Sequence, residues 1–230
     1  MPNGLNIIEH PVPNYTKGHV RPVKFGIIHF VSARYYEGYQ DDPYNIEGIL
    51  KLFDERGPID QFSCHYIIAR DGAVYRLVHI EDTSWNAGKS VIAIPEYMTS
   101  LNASSIGVEL VGMEGDRYAN PQYQTLAKLA VLIEDEVSNL GVGQLDHWVG
   151  HDWVSGEIAV KLGIKNKSVM KKDPGVLFDW LIFLREKHRV RLETEVKTNC
   201  RQEMRDETLA SLTSHECFSL WMSKLMGRKK

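Results

Sequence analysis

The segment Val23-Lys24-Phe25-Gly26-Ile27-Ile28-His29-Phe30 is a short, apolar, β-branched run. Its length and composition predict a buried strand that ends near a histidine. Further on, Ser105 to Val111 alternates, with Ile106, Val108 and Leu110 on one face and Gly107, Glu109 and Val111 on the other. That period of two predicts a second strand, one that turns Glu109 away from one apolar face. Between His65 and Tyr75 an Asp71-Gly72 pair separates two β-rich runs, the strongest hairpin signal in the chain. Asn45 is placed to cap a short helix with the apolar face Ile46, Ile49, Leu50 and Phe53, stopped by Gly57-Pro58. Asn120-Pro121 opens the clearest helix, whose stripe Tyr123, Leu126, Ala130, Ile133, Val137 and Leu140 is closed by Gly141. Asp173-Pro174 repeats that opening for a last core helix, Val176 to about Lys187. Helices and strands interleave around at least one hairpin. The expected fold class is therefore α/β, a mixed central β-sheet flanked by α-helices.

A chain of 230 residues, 43% apolar and 25% charged, has the composition of a soluble globular protein that needs no disulfide staples. The formal net charge of -3 gives nucleic acid no claim as a partner. Cys64, Cys200 and Cys217 are an odd number without CxxC spacing, so a reducing compartment at synthesis is expected. No stretch reaches the roughly 18 apolar residues of a transmembrane helix. The start, Met1-Pro2-Asn3-Gly4, has no basic segment followed by an apolar run. Synthesis in the cytoplasm without a signal peptide follows as an expectation. After about Arg189 the character changes, and an apolar patch (Phe218, Leu220, Trp221, Leu225) precedes the basic end Gly227-Arg228-Lys229-Lys230. We divide the chain at that point, residues 1–188 as a catalytic domain and 189–230 as a helical C-terminal extension. The extension is a candidate contact for an envelope surface or a partner protein.

The residue types that carry chemistry are dispersed. His29 ends a strand, His151 follows Gly150, and Asp173 opens a helix after Lys171-Lys172. Three such ligands suit a catalytic zinc, which commonly takes three protein donors and leaves a position for water. Taken singly, each has a plainer explanation: a structural histidine, a helix N-cap, a solvated lysine pair, a glutamate facing water. The same holds for His65 as a core residue or a support behind the site, Cys64 as packing, His79 and His147 as structural or surface residues, and Arg70 and Asp71 as parts of the hairpin.

Seven blocks in one order outweigh those separate explanations. They are Ile27-Ile28-His29, Ser63-Cys64-His65-Tyr66-Ile67-Ile68, Arg70-Asp71-Gly72, Trp85-Asn86-Ala87-Gly88-Lys89-Ser90, Ser105 to Gly112, Gly150-His151 and Lys171-Lys172-Asp173-Pro174-Gly175. The order resembles the zinc N-acetylmuramoyl-L-alanine amidases of the type-2 family, relatives of peptidoglycan recognition proteins and phage T7 lysozyme, over roughly residues 20 to 187. The resemblance implies one Zn2+ ion held by His29, His151 and Asp173 at the floor of a substrate groove. It implies Glu109 as general base and Lys171 as the group facing the oxyanion. The implied reaction cuts the amide between N-acetylmuramic acid and L-alanine, on peptidoglycan or muropeptides. A cell-wall lytic role, as endolysin or autolysin, is the leading expectation. A recycling enzyme for cytoplasmic muropeptides and a non-catalytic peptidoglycan-binding module are the alternatives.

Two departures from the family pattern stand out. Where the family has tryptophan-histidine-alanine-glycine, this chain has Trp85-Asn86-Ala87-Gly88, so an amide replaces the imidazole of a substrate-binding pair. The gap from His151 to Asp173 is also long. The insert, Val154 to Met170, is expected to form a helix over the groove, and Asp152 is the alternative third ligand.

Overall fold

The computed structural model describes residues 4–93 and 97–203. Its centre is a six-stranded sheet. The strands are β1 (Ile7–Glu9), β2 (Val23–Val31), β3 (Tyr66–Ile68), β4 (Val74–Arg76), β5 (Ser105–Val111) and β6 (Gly143–Gly150), in the order β1-β4-β3-β5-β2-β6. β3 and β4 are antiparallel, as the Asp71-Gly72 turn predicts, and every other pairing is parallel. Gly72 adopts φ 91°, and the Asp71 carboxylate accepts the Ala73 N–H at 2.9 Å, so both residues are explained by the turn. The sheet is mixed, and β2 is buried along nearly its whole length.

The pleat sorts the two faces. Ile28, Ile106, Val108, Leu110, Tyr66 and Ile68 pack with α3 (Asn120–Asn139) and with Phe178 and Phe183. On the opposite face Val31, Ile67 and Val111 pack with Ile49 and Phe53, the apolar side of α1 (Ile46–Lys51) and the turn after it. Asn45 caps α1, its side chain accepting the Gly48 N–H at 3.0 Å. The helix is not stopped at Gly57-Pro58. It passes through a π-helical turn, Leu52–Arg56, into α2 (Gly57–Asp60) and ends at Gln61 with φ 56°. Pro58 sits at the start of α2, directly after the π-helical turn.

α3 carries its expected stripe, except that Leu140 is exposed, and Gly141 closes the helix at φ 67°. The cap is Ala119 rather than Asn120. Gln122 compensates for the cap's lack of a polar side chain. Its carbonyl accepts the Ala119 N–H, and its amide donates to Ile68 and Val111 carbonyls at 3.3 and 3.0 Å. One buried side chain thus ties the helix start to the ends of β3 and β5.

The last helix opens later than the Asp173-Pro174 signal suggests. α6 spans Trp180–Glu203, and the Asp179 carboxylate accepts the Ile182 N–H at 2.9 Å. Asp173 caps nothing because its carboxylate faces two histidines. α6 runs on through residues 188 and 189 without a break, and Val190 is buried against Ala127 and Val131 of α3. The patch Phe218, Leu220, Trp221 and Leu225 lies outside the described residues. Among the described residues no helix is long and apolar enough to cross a membrane.

Candidate metal centre and groove

His29, Glu109 and His151 all stand at the carboxyl ends of parallel strands. β2 and β5 pair in a register that sets His29 against Glu109, so both side chains leave the same face of the sheet. β6 pairs with β2 as far as Gly150, and His151 opens α4 (His151–Ser155) directly after it. Asp173 comes from the loop ahead of α6, held by the Asp152 N–H on its own carbonyl at 2.8 Å.

The three side chains converge. His29 Nδ1 lies 3.0 Å from His151 Nδ1 and 3.0 Å from Asp173 Oδ2, and His151 Nδ1 lies 2.9 Å from the same oxygen. All three residues are buried. Two imidazole nitrogens facing one another at that distance, with a carboxylate oxygen beside both, leave either two protons or two lone pairs opposed. A cation among them removes the conflict. Two histidines and one carboxylate are also a donor set that suits zinc. The donor chemistry therefore fits a metal ion, and among the described residues this is the single cluster of its kind. Burial alone raises the Asp173 carboxyl, but the His151 and His29 imidazoles hold it well below the usual carboxylate range. Asp152, the alternative ligand, is outside the cluster.

Glu109 is half-buried, and its Oε2 is sealed from solvent with no hydrogen-bond partner among the described residues. Burial pushes its carboxyl up, His29 draws it down and Asp173 raises it, leaving it at about 7. Above the centre lies a groove of about 410 Å³. Trp85, Asn86 and Lys171 line it with the ligands and Glu109, as do four residues the sequence did not single out, Tyr35, Phe62, Glu114 and Met170. Asn86 is buried, and its amide donates to Ser84 Oγ at 2.9 Å and Ser105 Oγ at 3.3 Å. The insert does not roof the groove with a helix. α5 (Glu157–Lys161) stands aside, and Met170 is the insert residue at the rim. Ser155 pins this segment: its hydroxyl donates to the Lys89 carbonyl at 2.7 Å and accepts Lys165 Nζ at 2.6 Å, while its carbonyl takes the Lys171 N–H at 3.1 Å.

His65 is a core residue, fully buried, with the Gly107 N–H donating to Nδ1 at 3.0 Å and Nε2 on the Asp82 carbonyl at 3.1 Å. Cys64 beside it is buried packing, and His79 and His147 are exposed.

The family model described as N-acetylmuramoyl-L-alanine amidase matches residues 19–176. The chain belongs to this family. Among curated family relatives, the 1,6-anhydro-N-acetylmuramyl-L-alanine amidase AmpD of Escherichia coli K12 is 30% identical over 121 residues, 53% of this chain and 56% of that protein. The chain thus matches about half the length of that relative. Of solved structures, a selenomethionine AmpD derivative superposes with a TM-score of 0.55 at 24% identity, covering 78% of this chain and 93% of the other. The Staphylococcus aureus hydrolase AmiA, solved with its ligand, gives 0.51 at 15% identity, covering 82% and 86%. At such identities the two superpositions show a shared fold.

Proposed function

We propose that this chain is a zinc-dependent hydrolase of the amide joining N-acetylmuramic acid to L-alanine of a stem peptide. One observation carries the reading: His29, His151 and Asp173 converge within 3.0 Å, beside a sealed carboxylate oxygen of Glu109. Family membership and the fold shared with AmpD and AmiA support it.

His29, His151 and Asp173 would hold a zinc ion, which when bound would supply Lewis acidity and make water acidic enough to give up a proton near neutral pH. The rest of the chemistry belongs to the chain. Glu109, a carboxylate sealed at the groove floor, takes the proton from the attacking water and returns it to the leaving amine of L-alanine. The same burial that raises this carboxyl keeps bulk water from levelling its basicity. Lys171 lines the groove, and its ammonium is the group we assign to meet negative charge growing on the amide oxygen. Trp85 offers a ring to the sugar or peptide, and its indole N–H is tied to Thr16 Oγ1 at 3.0 Å, which fixes that ring's direction. Asn86 spends its amide hydrogens inside the protein, so its share in binding is to shape the groove floor.

For substrate we place a soluble 1,6-anhydromuramyl peptide first, after the activity named for the AmpD relative. Action on intact wall, as an endolysin or autolysin, is the competing role. Digestion of purified sacculi and of soluble anhydromuropeptides, with and without a chelator, separates the two by mass spectrometry. The expected product is free stem peptide with an L-alanine amino terminus, lost on chelation and restored by zinc. Sugar cleavage, or indifference to chelation, refutes the mechanism.

A further inference from the structure

The loop that carries Asp173 also presents Lys171 and Lys172 to the groove. Its Asp173 main chain is tied at one side by the Asp152 N–H. Opposite stands the segment between β5 and α3, and two contacts cross from it to the loop. Lys172 Nζ meets Glu114 Oε1 at 2.8 Å, but these side chains are 57% and 63% exposed. A pair so exposed is worth about 0–1 kcal/mol. The other contact is of a different kind. The Tyr118 hydroxyl donates to the Pro174 carbonyl at 2.7 Å, and the bond is buried. Burial raises the Tyr118 phenol, and the nearby Asp173 and Glu109 carboxylates raise it further, so it stays a donor. Its ring is held edge-on by Tyr123 and Phe178.

We propose that Tyr118 is a positioning residue for the metal centre. By fixing the carbonyl next to Asp173 it sets where that carboxylate points, and Tyr118 itself touches neither metal nor substrate. The inference rests on the metal reading above. Groups behind the first ring of ligands commonly change metal affinity or activity by roughly 10–100-fold when removed.

The same aromatic cluster supplies a matched control. The Tyr123 hydroxyl accepts the Asp179 N–H at 2.7 Å, so Tyr123→Phe also removes one hydroxyl from one backbone bond, but at the start of α6. Tyr118→Phe and Tyr123→Phe keep both rings, and each leaves one backbone group without its partner. Zinc affinity of the full chain is measured without substrate, by competition with a chromophoric chelator, alongside thermal unfolding of the metal-free protein. The expected result is zinc binding weakened about 10-fold or more in Tyr118→Phe and unchanged in Tyr123→Phe, with similar losses of thermal stability. Equal zinc affinity in wild type and Tyr118→Phe overturns the proposal, as does an equal loss in both variants. If the wild type itself fails to bind zinc, the metal reading falls with it, and the experiment shows that separately.

Discussion

Acid should destabilise this protein through His65 in particular. The Gly107 N–H donates to Nδ1, Ser84 Oγ is 2.9 Å from the same nitrogen, and Nε2 faces the Asp82 carbonyl. The ring is therefore the Nε2–H tautomer, and a second proton would set an N–H against the Gly107 N–H. Burial pushes its pKa down to about 3, against the hydrogen bond to the Asp82 carbonyl, which raises it, and with a smaller push down from the His19 ring. In the unfolded chain it returns to about 6.5, so between those values the unfolded state binds more protons. Stability therefore rises with pH in that window and is lost as pH falls. From pH 7 to pH 5 the loss from this one residue is about 2 kcal/mol, and by pH 4 about 3 kcal/mol. The assay is urea unfolding of wild type and His65→Gln across pH 4 to 7. Glutamine keeps a donor and an acceptor, and the carboxylates common to both proteins cancel in the difference. The stability gap should move by about 2 kcal/mol toward the variant between pH 7 and 5. A gap that does not change with pH refutes the reasoning. So does a nitrogen NMR titration showing the wild-type ring protonated near pH 6, a measurement that needs no variant to fold.

Other substitutions test the site and the sheet. Glu109→Gln should bind zinc as the wild type does while turnover falls by about 10²–10⁴, and full activity would place the base elsewhere. Gly26→Ala puts a Cβ 2.4–2.6 Å from three atoms of the Trp148 ring, which is held by Phe183 and by Glu134. It should cost about 1–3 kcal/mol in urea unfolding, and a neutral result would mean the ring can move aside. Gln122→Leu removes three hydrogen bonds to the backbone around β3, β5 and the start of α3. With buried carbonyls left unpaired it should lose about 2 kcal/mol or more, read as a lower unfolding midpoint.

The parts legible in the sequence are those where one local signal coincides with the tertiary answer. β2 and β5 announce themselves through β-branched residues and alternation, and Asp71-Gly72 and Asn45 act where their chemistry says. β6 was missed because Gly143-Gln144-Leu145-Asp146-His147 is polar and glycine-bearing, as an edge strand can be. Asp173 misled as a helix cap because the same carboxylate chemistry serves a backbone N–H or a pair of imidazoles, and only distant residues decide which. Tyr118 and Gln122 gave no signal, since their partners, Pro174, Ile68 and Val111, are set by the packing of separate elements. The candidate ligands were legible as an ordered set of blocks, and their convergence was not legible from spacing.

The pairing of His29 with Glu109 across β2 and β5 has a consequence for how such a site can change. The interval between the proposed base and the first proposed metal donor is a rung of a backbone ladder, the same whatever side chains surround it. Loops around the rim are free to lengthen, shorten or be exchanged without altering that interval. A slip of one residue would instead turn one of the pair to the far side of the sheet. Substrate preference can therefore drift by small steps at the rim, whereas the chemistry is kept or lost all at once.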